Sequence, residues 1–385
     1  MKSIQNSLNE LFLSLVRPLV TNAAFSKARN NLSHTAFIAL NKQAIVATVY
    51  AHDHHRFHGL RVLAVDGSKV ILPQSEAVIA HFGSQSIANQ EYSNLGTFSY
   101  GLASVLYDVL NGIALDARLH PGHAYEVDAA EEHLSQAKKD DVLLFDRGYC
   151  SFRMMHTMAQ TKAHFVMRCS TRSFKAAQEM FDDVSIIDQE VTLTPNQKYR
   201  DHYGYEGTNP LQVRFVRVVL KTGEVEVLAT SLLDTKKYPT ELFSELYWKR
   251  YWKRWGVESF YGIIKSRLGL ENFSGYSVES ILQEFHATIF LTGLEAQLTE
   301  DSDTLLAQKE HTLQQVNHAV SFNAIKHRAF DLLVSDLPID VVLAELTKVF
   351  LKRPLVIAHN KSPVRKVSSA TRLLNFWKRR RKSVF

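Results

Sequence analysis

Two short apolar runs, each closed by an aspartate, constrain the fold of this chain more than any other feature. Asp66 ends the run in LRVLAVDGS, and Asp146 ends the run in DDVLLFDRG. Short apolar runs bounded by turn residues are typical of strands buried on both faces of a sheet. Because neighbouring strands lie about 4.8 Å apart, we expect the two carboxylates to meet at one edge of that sheet. Each aspartate also has a simpler interpretation, as a turn residue before Gly67 or as a helix cap near Ser151.

A third acidic residue, Glu258, lies in the run YWKRWGVESFYGIIK (251–265). At about 100° per residue, an α-helix over this run places it on one stripe with Tyr251, Arg254 and Lys265. One carboxylate flanked by two cations and a phenol suits a divalent metal ion beside a chain of phosphates. A solvated helix face with ordinary pairs four residues apart has the same composition. The order Asp, Asp, Glu along the chain favours the metal site.

Three carboxylates are the donor set that two-metal phosphoryl transfer needs. This chemistry uses ions about 3.5–4 Å apart, one beside the attacking oxygen and one beside the leaving oxygen. Mg²⁺ prefers oxygen ligands and keeps several waters, so no histidine or cysteine cage is required. The sequence therefore predicts Asp66, Asp146 and Glu258 as catalytic residues and metal ligands, with Mg²⁺ as the cofactor and Mn²⁺ as its substitute.

The order of the predicted elements is that of an α/β, ribonuclease-H-like catalytic core. The elements are a strand ending at Asp66, a strand after a turn at Gly67-Ser68, a hairpin over 98–120 hinged at Asn111-Gly112, a helix over 126–138, a strand within 140–150, a helix over 152–162 and a strand over 164–169. Alternation of apolar and polar residues in 213–233 then predicts a β-rich insertion. A long helix over 239–267 and helical stretches over 277–299 and 303–351 follow.

These elements predict a chain of several parts. The parts are a helical N-terminal DNA-binding region (1–58), a ribonuclease-H-like catalytic domain (59–169 and 237–300), a β-rich insertion (170–236), a helical C-terminal region (301–360) and a basic tail (361–385). The N-terminal helices are compatible with a helix-turn-helix and equally with a plain packing unit, and the sequence leaves both open.

Charge is distributed unevenly along the chain. The 45 basic and 39 acidic residues give a net charge of +6. Residues 361–385 hold nine basic residues and no acidic one, so the other 360 residues carry 36 basic and 39 acidic residues and sum to −3. Phosphate attraction must therefore come from local patches and from the tail, where we predict DNA contacts by Lys378, Arg379, Arg380 and Arg381. A solvated tail without DNA contacts is the alternative.

Composition also indicates in which cellular compartment the protein is expected. No run of 18 apolar residues occurs, so the sequence predicts no membrane helix and no membrane partner. Cys150 and Cys169 are the only cysteines, too few for a zinc ribbon or a disulfide framework, which fits a reducing compartment. We expect a cytoplasmic, nucleoid-associated bacterial protein.

The motifs resemble those of a known family. LAVDGS, LLFDRGY and the Y-x2-R-x3-E-x6-K run are similar to the three conserved blocks of DDE transposases of the bacterial insertion-sequence-four family, and FSKARNNLSHTAFIALN is similar to its N-terminal segment. The resemblance covers about residues 20–300. It implies that the three carboxylates bind metal ions and that Tyr251, Arg254 and Lys265 hold terminal DNA phosphates. Arg147 is a further candidate for a phosphate contact, with an ion pair to an acid as its alternative.

By this resemblance, the protein is a cut-and-paste transposase that acts as a homodimer on double-stranded DNA. Water cleaves the 3′ ends at the terminal inverted repeats of its element, and the freed 3′-OH attacks target DNA. Some relatives cut the second strand through a hairpin and stack a flipped base on a tryptophan of the insertion. The insertion here has no tryptophan, and its aromatic substitutes are Tyr199, Tyr203, Tyr205 and Phe215. A hydrolytic nuclease of the same fold and an inactive DNA-binding derivative are the alternatives.

Overall fold

The computed structural model describes most of the chain. The described residues are 4–86, 97–205, 209–220, 223–248, 251–308 and 314–356, with the side chains of 247–255 excepted. The predictions made for the side chains of Tyr251 and Arg254, and for the basic tail with Lys378 to Arg381, lie outside the described residues.

Strands in the described ranges form one large mixed sheet and one small pair. The strands are β1 Arg61–Leu72, β2 Ser84–Ser86, β3 Thr97–Asp108, β4 Ile113–Pro121, β5 Asp141–Phe145, β6 His164–Arg168, β7 Asp188–Leu193, β8 Leu211–Val219, β9 Val225–Thr230, β10 Gln314–Gln315 and β11 Leu355–Val356. The large sheet has the order β2-β3-β1-β5-β6-β9-β8-β7, and β4 also pairs with β3. Strands β1, β5 and β6 are parallel, and the remaining pairs are antiparallel.

Helices precede, interrupt and follow the strands. They are α1 Ile4–Ser14, α2 Asn22–Arg29, α3 Thr35–Leu40, α4 Ala47–Ala51, α5 Glu76–Phe82, α6 Glu126–Glu131, α7 Phe152–Ala159, α8 Lys175–Asp182, α9 Gln197–Tyr203, α10 Thr240–Trp248, α11 Tyr251–Gly262, α12 Val278–Ala307, α13 His318–Leu333 and α14 Ile339–Lys352, with π-helical turns at Asn41–Val46 and Ile263–Arg267 and a 3₁₀ turn at Leu134–Gln136. Among these helices, none combines the length and apolar character needed to cross a membrane.

The mixed α/β architecture confirms the sequence prediction, as does the order of the core elements from the hairpin to β6. The hairpin over 98–120 is present as β3 and β4, with Gly112 at a φ of 70° in the turn between them. Strand β5 follows helix α6, and helix α7 leads into β6, as predicted. The helix predicted over 126–138 is shorter, because α6 ends at Glu131 and a 3₁₀ turn follows.

The predicted turn at Gly67-Ser68 is wrong. Strand β1 continues through both residues to Leu72, because β3 pairs with it along its whole second half. Gly67 lies opposite Ser104 and Ser68 lies opposite Ala103, so the backbone keeps the ladder. The Asp-Gly pair is a local turn signal, and pairing with a partner strand overrides it.

The sheet is covered by helices on both faces. Because side chains alternate along a strand, even-numbered residues of β1 such as Val62 share a core with Phe260 of α11. Odd-numbered residues such as Leu63 share a second core with Val127 of α6 and Met154 of α7. Burial on both faces explains the uninterrupted apolar runs in the sequence.

Residues 170–236 extend the main sheet. The two strands predicted in 213–233 are present as β8 and β9, and β9 pairs antiparallel with β6. Strand β7 adds to β8 at the edge of the sheet. This segment also contains helices α8 and α9, so it is a mixture of strand and helix that continues the same sheet.

A buried ion pair links the first residues of β1 and β5. Arg61 lies directly opposite Asp141 in the parallel register, and both are buried. Its Nε and Nη2 donate to the two carboxylate oxygens of Asp141, both at 2.7 Å. The guanidinium also lies 4.6 Å from the ring centroid of Tyr50, whose hydroxyl donates to Asp108 at 2.7 Å. The pair therefore fixes the register of β1 on β5 and connects the sheet to α4.

Replacement of Asp141 by asparagine should destabilise the fold. The change leaves the Arg61 charge buried without its carboxylate, and breaking such a pair costs about 3 kcal/mol or more. We expect the free energy of unfolding, measured by urea denaturation, to fall by that amount. The exposed neighbour Asp140 is the control, since Asp140→Asn should change stability by less than about 0.5 kcal/mol. Equal effects of the two substitutions would contradict the role of the pair.

Candidate active site

The parallel pairing of β1 with β5 places Asp66 beside Asp146. The register runs from Arg61 opposite Asp141 to Ala64 opposite Leu144. Asp66 and Asp146 each lie two residues beyond that last pair. They therefore stand at the same level of the sheet, just past the end of the parallel pairing. Asp146 lies one residue beyond the end of β5, as predicted. Asp66 does not end its strand, since β1 continues to Leu72 on β3 alone.

Helix α11 brings Glu258 over the same part of the sheet. Gly256 allows the close approach, because a Cβ there would lie 3.2 Å from Cγ1 of Val109 and 3.5 Å from Cε1 of Tyr107. One turn after Glu258, the buried hydroxyl of Tyr261 donates to the backbone carbonyls of Asp66 and Ala103 at 3.0 and 2.9 Å. Tyr261 therefore holds the turn that carries Glu258 against β1 and β3.

The three predicted carboxylates line one small cavity. Its volume is about 20 Å³, and its lining consists of Ala64, Val65, Asp66, Leu144, Asp146, Val257 and Glu258. A space of about this size holds one water molecule. The structure thus brings together three acidic residues that are far apart in the sequence and belong to three different elements.

Electrostatics at the cavity disfavour a further negative charge. Burial above all raises the pKa of Asp66 to about 7, with smaller contributions from the negative charges of Glu258, Glu126 and Asp146, while a hydrogen bond from the Gly67 backbone lowers it. Burial, followed by the charges of Asp66, Glu126 and Asp146, also raises the pKa of the Tyr149 phenol. A carboxyl group whose ionisation is disfavoured by burial and by neighbouring negative charges, as at Asp66, is an environment that a bound cation would relieve.

The residues fit a divalent cation that takes oxygen ligands. Asp66, Asp146 and Glu258 offer carboxylate oxygens around one polar cavity, which is the donor chemistry of Mg²⁺ or Mn²⁺. Within the described ranges, no three Asp, Glu, His or Cys side chains are already grouped closely enough to hold a metal ion. Ligation by all three carboxylates would therefore involve movement of their side chains toward the cavity.

Sequence reasoning missed two residues that support Asp146. Arg168, at the end of β6, lies with its Nη1 3.6 Å from Oδ1 of Asp146. Its Nε donates to Glu226 of β9 at 2.6 Å, and its Nη2 donates to the other oxygen of the same carboxylate. Glu226 is buried, so it holds the guanidinium in place. The sequence held part of the signal for Arg168. This residue ends the predicted strand that follows β5, and the ends of neighbouring parallel strands meet at the same edge of the sheet.

Lys265 lies on the π-helical turn Ile263–Arg267, so the single α-helix predicted over 239–267 is wrong at this end. The wider turn buries Ile264 and lets Lys265 reach β1, which explains why the α-helical period stops here. Its Nζ donates to Oγ of Ser68 at 2.6 Å and to the backbone carbonyl of Lys69 at 2.5 Å. Lys265 thus lies beside Asp66, near the predicted site.

The other described residues predicted to contact DNA are Arg147, for a phosphate, and the aromatic residues, for stacking on a base. Arg147 is exposed in the turn after Asp146. Of the aromatic residues proposed to stack a base, Phe215 is fully buried in the core and is therefore unsuited to that role. Tyr199, Tyr203 and Tyr205 instead cluster with one another and with α7, with ring centroids 4.5–6.1 Å apart.

The sequence matches the family of transposase DDE domains over residues 57–293. The matched region is more than half of the chain and contains all three carboxylates, so the chain belongs to the family of transposase DDE domains. The match does not distinguish the insertion-sequence-four family from other members.

Comparison with solved structures gives a distant likeness. The chain is similar to the piggyBac transposase in a cryo-EM structure of its synaptic complex with hairpin DNA, with 8% sequence identity and a TM-score of 0.36. The similarity covers 81% of this chain and 61% of that chain, so this chain spans about three fifths of the length of the piggyBac protein. No curated protein matches the sequence.

The raised pKa of Asp66 predicts a pH-dependent stability of the metal-free protein. Asp66 ionises less readily in the folded state than in the unfolded chain. The contribution of its protonated form to the free energy of unfolding is therefore complete below the unfolded pKa of 3.8 and is lost as pH rises toward about 7. Asp66→Asn abolishes that loss. The stability of this variant relative to the unchanged protein should therefore rise by as much as about 4 kcal/mol between about pH 4 and pH 8.

Chemical denaturation in the presence of a chelator measures this difference. Glu76→Gln is the control, because Glu76 is exposed at the start of α5 and its substitution should give a similar difference at both pH values. If Asp66→Asn also shows no change with pH, the pKa of Asp66 is not raised in the folded protein.

Proposed function

We propose that this protein is a metal-dependent, cut-and-paste DNA transposase of the insertion-sequence-four type, built on a ribonuclease-H-like core. One observation carries the proposal, namely that Asp66, Asp146 and Glu258 come from β1, the end of β5 and α11 and line one cavity. Membership of the transposase DDE domain family supports the reaction class. The substrate is double-stranded DNA, namely the terminal inverted repeats of the element and its target.

Three carboxylates would hold two Mg²⁺ or Mn²⁺ ions, which supply charge to the attacking and leaving oxygens of a phosphodiester. Asp66 and Asp146 are set side by side by the strand register, and Glu258 approaches them from the helix. Arg168 orients Asp146, and Tyr261 fixes the helix against the backbone of Asp66. These contacts hold the elements that carry the donors in place, so that the carboxylate side chains alone would move toward the cavity as the ions bind.

Cations around the cavity would position the DNA backbone. Lys265 lies beside β1 two to three residues after Asp66, where a phosphate near the metal site would lie within its reach. We assign further phosphate contacts to Arg147, Tyr251 and Arg254, and sequence-independent affinity to the basic tail. A homodimer would bring two element ends together before joining.

Charge-neutral substitutions of the carboxylates should abolish the chemistry without abolishing DNA binding. Asp66→Asn, Asp146→Asn and Glu258→Gln each remove a charged metal donor with little change in volume. We expect less than about a tenth of the cleavage and joining rates, a change in the barrier of more than about 1.4 kcal/mol. The assay uses pre-cut end DNA and a supercoiled target, with end binding measured in parallel. Asp340→Asn, at an exposed position in the first turn of α14, should retain full activity.

The same assay separates the alternatives. Joining of the 3′ end to the target supports a transposase, cutting without joining indicates a hydrolytic nuclease, and binding alone indicates an inactive derivative. Any carboxylate variant that keeps more than about a tenth of the activity would remove that residue from the set of metal ligands.

Loss of a phosphate contact should flatten the salt dependence of DNA binding. For Arg254→Ala and for Lys265→Ala, we expect the slope of log K against log salt to fall by about 0.9 for each duplex phosphate contact removed. The measurement is a titration of labelled end DNA at several salt concentrations. Lys175, whose side chain is 90% exposed on α8, is the control, and Lys175→Ala should leave the slope unchanged. Unchanged slopes for both test variants would assign them to an ordinary solvated or structural role.

A further inference from the structure

Cys150 and Cys169, the two cysteines of the chain, lie next to each other in the fold. Their Sγ atoms are 3.6 Å apart, and both are free thiols. The sequence does not show this proximity, because the two residues stand 19 positions apart with helix α7 between them. The parallel pairing of β5 with β6 brings them together, since Cys150 lies in the connection after β5 and Cys169 directly follows β6.

The surroundings of the two thiols differ. Cys169 is buried, and its backbone N–H donates to the carbonyl of Val227 at 2.8 Å, which anchors it against β9. Cys150 is only partly buried, at the end of the turn that begins at Asp146. The backbone N–H of Tyr149 closes that turn by donating to the carbonyl of Asp146 at 3.0 Å. A small oxidant in solution would therefore meet Cys150 first.

Both cysteines adjoin residues of the candidate active site. Cys169 follows Arg168, whose Nη1 lies 3.6 Å from Oδ1 of Asp146. Cys150 is on the turn that Asp146 begins. A disulfide bond is about 2.05 Å long, so its formation would draw the two sulfur atoms together by about 1.5 Å. Because Cys169 is anchored in the sheet, most of this movement would fall on the turn that carries Asp146.

We propose that Cys150 and Cys169 form a reversible disulfide when the protein meets a peroxide, and that this bond slows the metal-dependent chemistry at Asp146. The second part rests on the proposed function, since it concerns regulation of the same site. Disulfides of mesophilic proteins in reducing compartments are usually transient and serve catalysis or redox sensing. A pair held as thiols within a short movement of bonding fits that use.

One molecule of hydrogen peroxide balances the reaction as a two-electron oxidant. The sulfur of Cys150 attacks one peroxide oxygen, the O–O bond breaks, and the leaving hydroxide takes up the thiol proton as water, which leaves a sulfenic acid. The sulfur of Cys169 then attacks that sulfur, the S–O bond breaks, and the second hydroxide leaves with the proton of Cys169 as a second water. The hydrogen bond with Cys150, followed by burial, raises the pKa of Cys169, so this residue stays a thiol until the sulfenic acid forms beside it.

A purely structural role for the pair makes a different prediction. Buried cysteines also serve as small apolar side chains that fill a core, and both thiols pack in the core that contains Met154. In that case peroxide would leave both thiols unchanged, or would add oxygen to Cys150 without a bond to Cys169.

Peptide mapping of the full chain tests the disulfide. After treatment with hydrogen peroxide, alkylation and digestion with trypsin, we expect GYCSFR (148–153) joined to CSTR (169–172). Neither peptide contains methionine, so methionine oxidation does not obscure the product. Dithiothreitol should separate the peptides, and Cys150→Ser and Cys169→Ala should each abolish the joined product. Recovery of two separate peptides, alkylated or oxygenated, would overturn the proposal.

Cleavage of end DNA before and after the same treatment tests the effect on the site. We expect the oxidised protein to cleave at least about tenfold more slowly, because a misplacement of about 1 Å can reduce a rate about a hundredfold. Dithiothreitol should restore the rate. Cys150→Ser is the control, since it cannot form the bond and should keep its rate after peroxide. An equal loss in this variant, or an unchanged rate in protein that carries the disulfide, would overturn the regulation.

The outcomes distinguish this inference from the proposed function. If the reduced protein neither cleaves nor joins element ends, the proposed function fails and the regulation fails with it, while the peptide map still decides whether the disulfide forms. If the reduced protein is active and the joined peptides do not appear, the inference fails and the proposed function stands.

Discussion

The parallel pairing of β1 with β5 is the interaction on which the rest of the site depends. Four residue pairs, from Arg61 opposite Asp141 to Ala64 opposite Leu144, set the level at which Asp66 and Asp146 emerge. A slip of one residue would turn either aspartate toward the opposite face of the sheet. The buried Arg61–Asp141 ion pair sits at the far end of this short ladder and opposes such a slip. The buried ion pair and the two aspartates of the candidate site therefore lie at the two ends of one strand register.

The cavity concentrates negative charge, because three carboxylates line it. Burial above all, with the charges of neighbouring carboxylates, raises the pKa of Asp66 to about 7. Arg168 supplies a positive charge near Asp146, but Glu226 engages that guanidinium from the other side. An uncompensated cluster of this kind is costly, and a bound cation would relieve that cost.

The helix that carries Glu258 is fixed by contacts that follow it in the sequence. Tyr261 donates to the backbone of Asp66 and Ala103, and Lys265 donates to Ser68 and to the backbone of Lys69. Both anchors therefore bind the strand that carries Asp66. In the absence of DNA, Lys265 is a structural residue, and a phosphate would share it with β1. The spacing of the sequence motif thus serves the internal geometry of the protein.

The sequence by itself determined the strands of the core, the hairpin at Gly112, the class of the fold and the choice of Asp66, Asp146 and Glu258 as candidates, because apolar runs and charge spacing are local signals. Tertiary structure decided what local signals cannot encode. Pairing with β3 carried β1 through an Asp-Gly turn signal, and contact with β1 accompanies a π turn at Lys265. Arg168 lies near Asp146 only because of the order of the strands in the sheet. Proximity between residues distant in the chain follows from the register of strands and the faces they present, and these are properties of the assembled sheet.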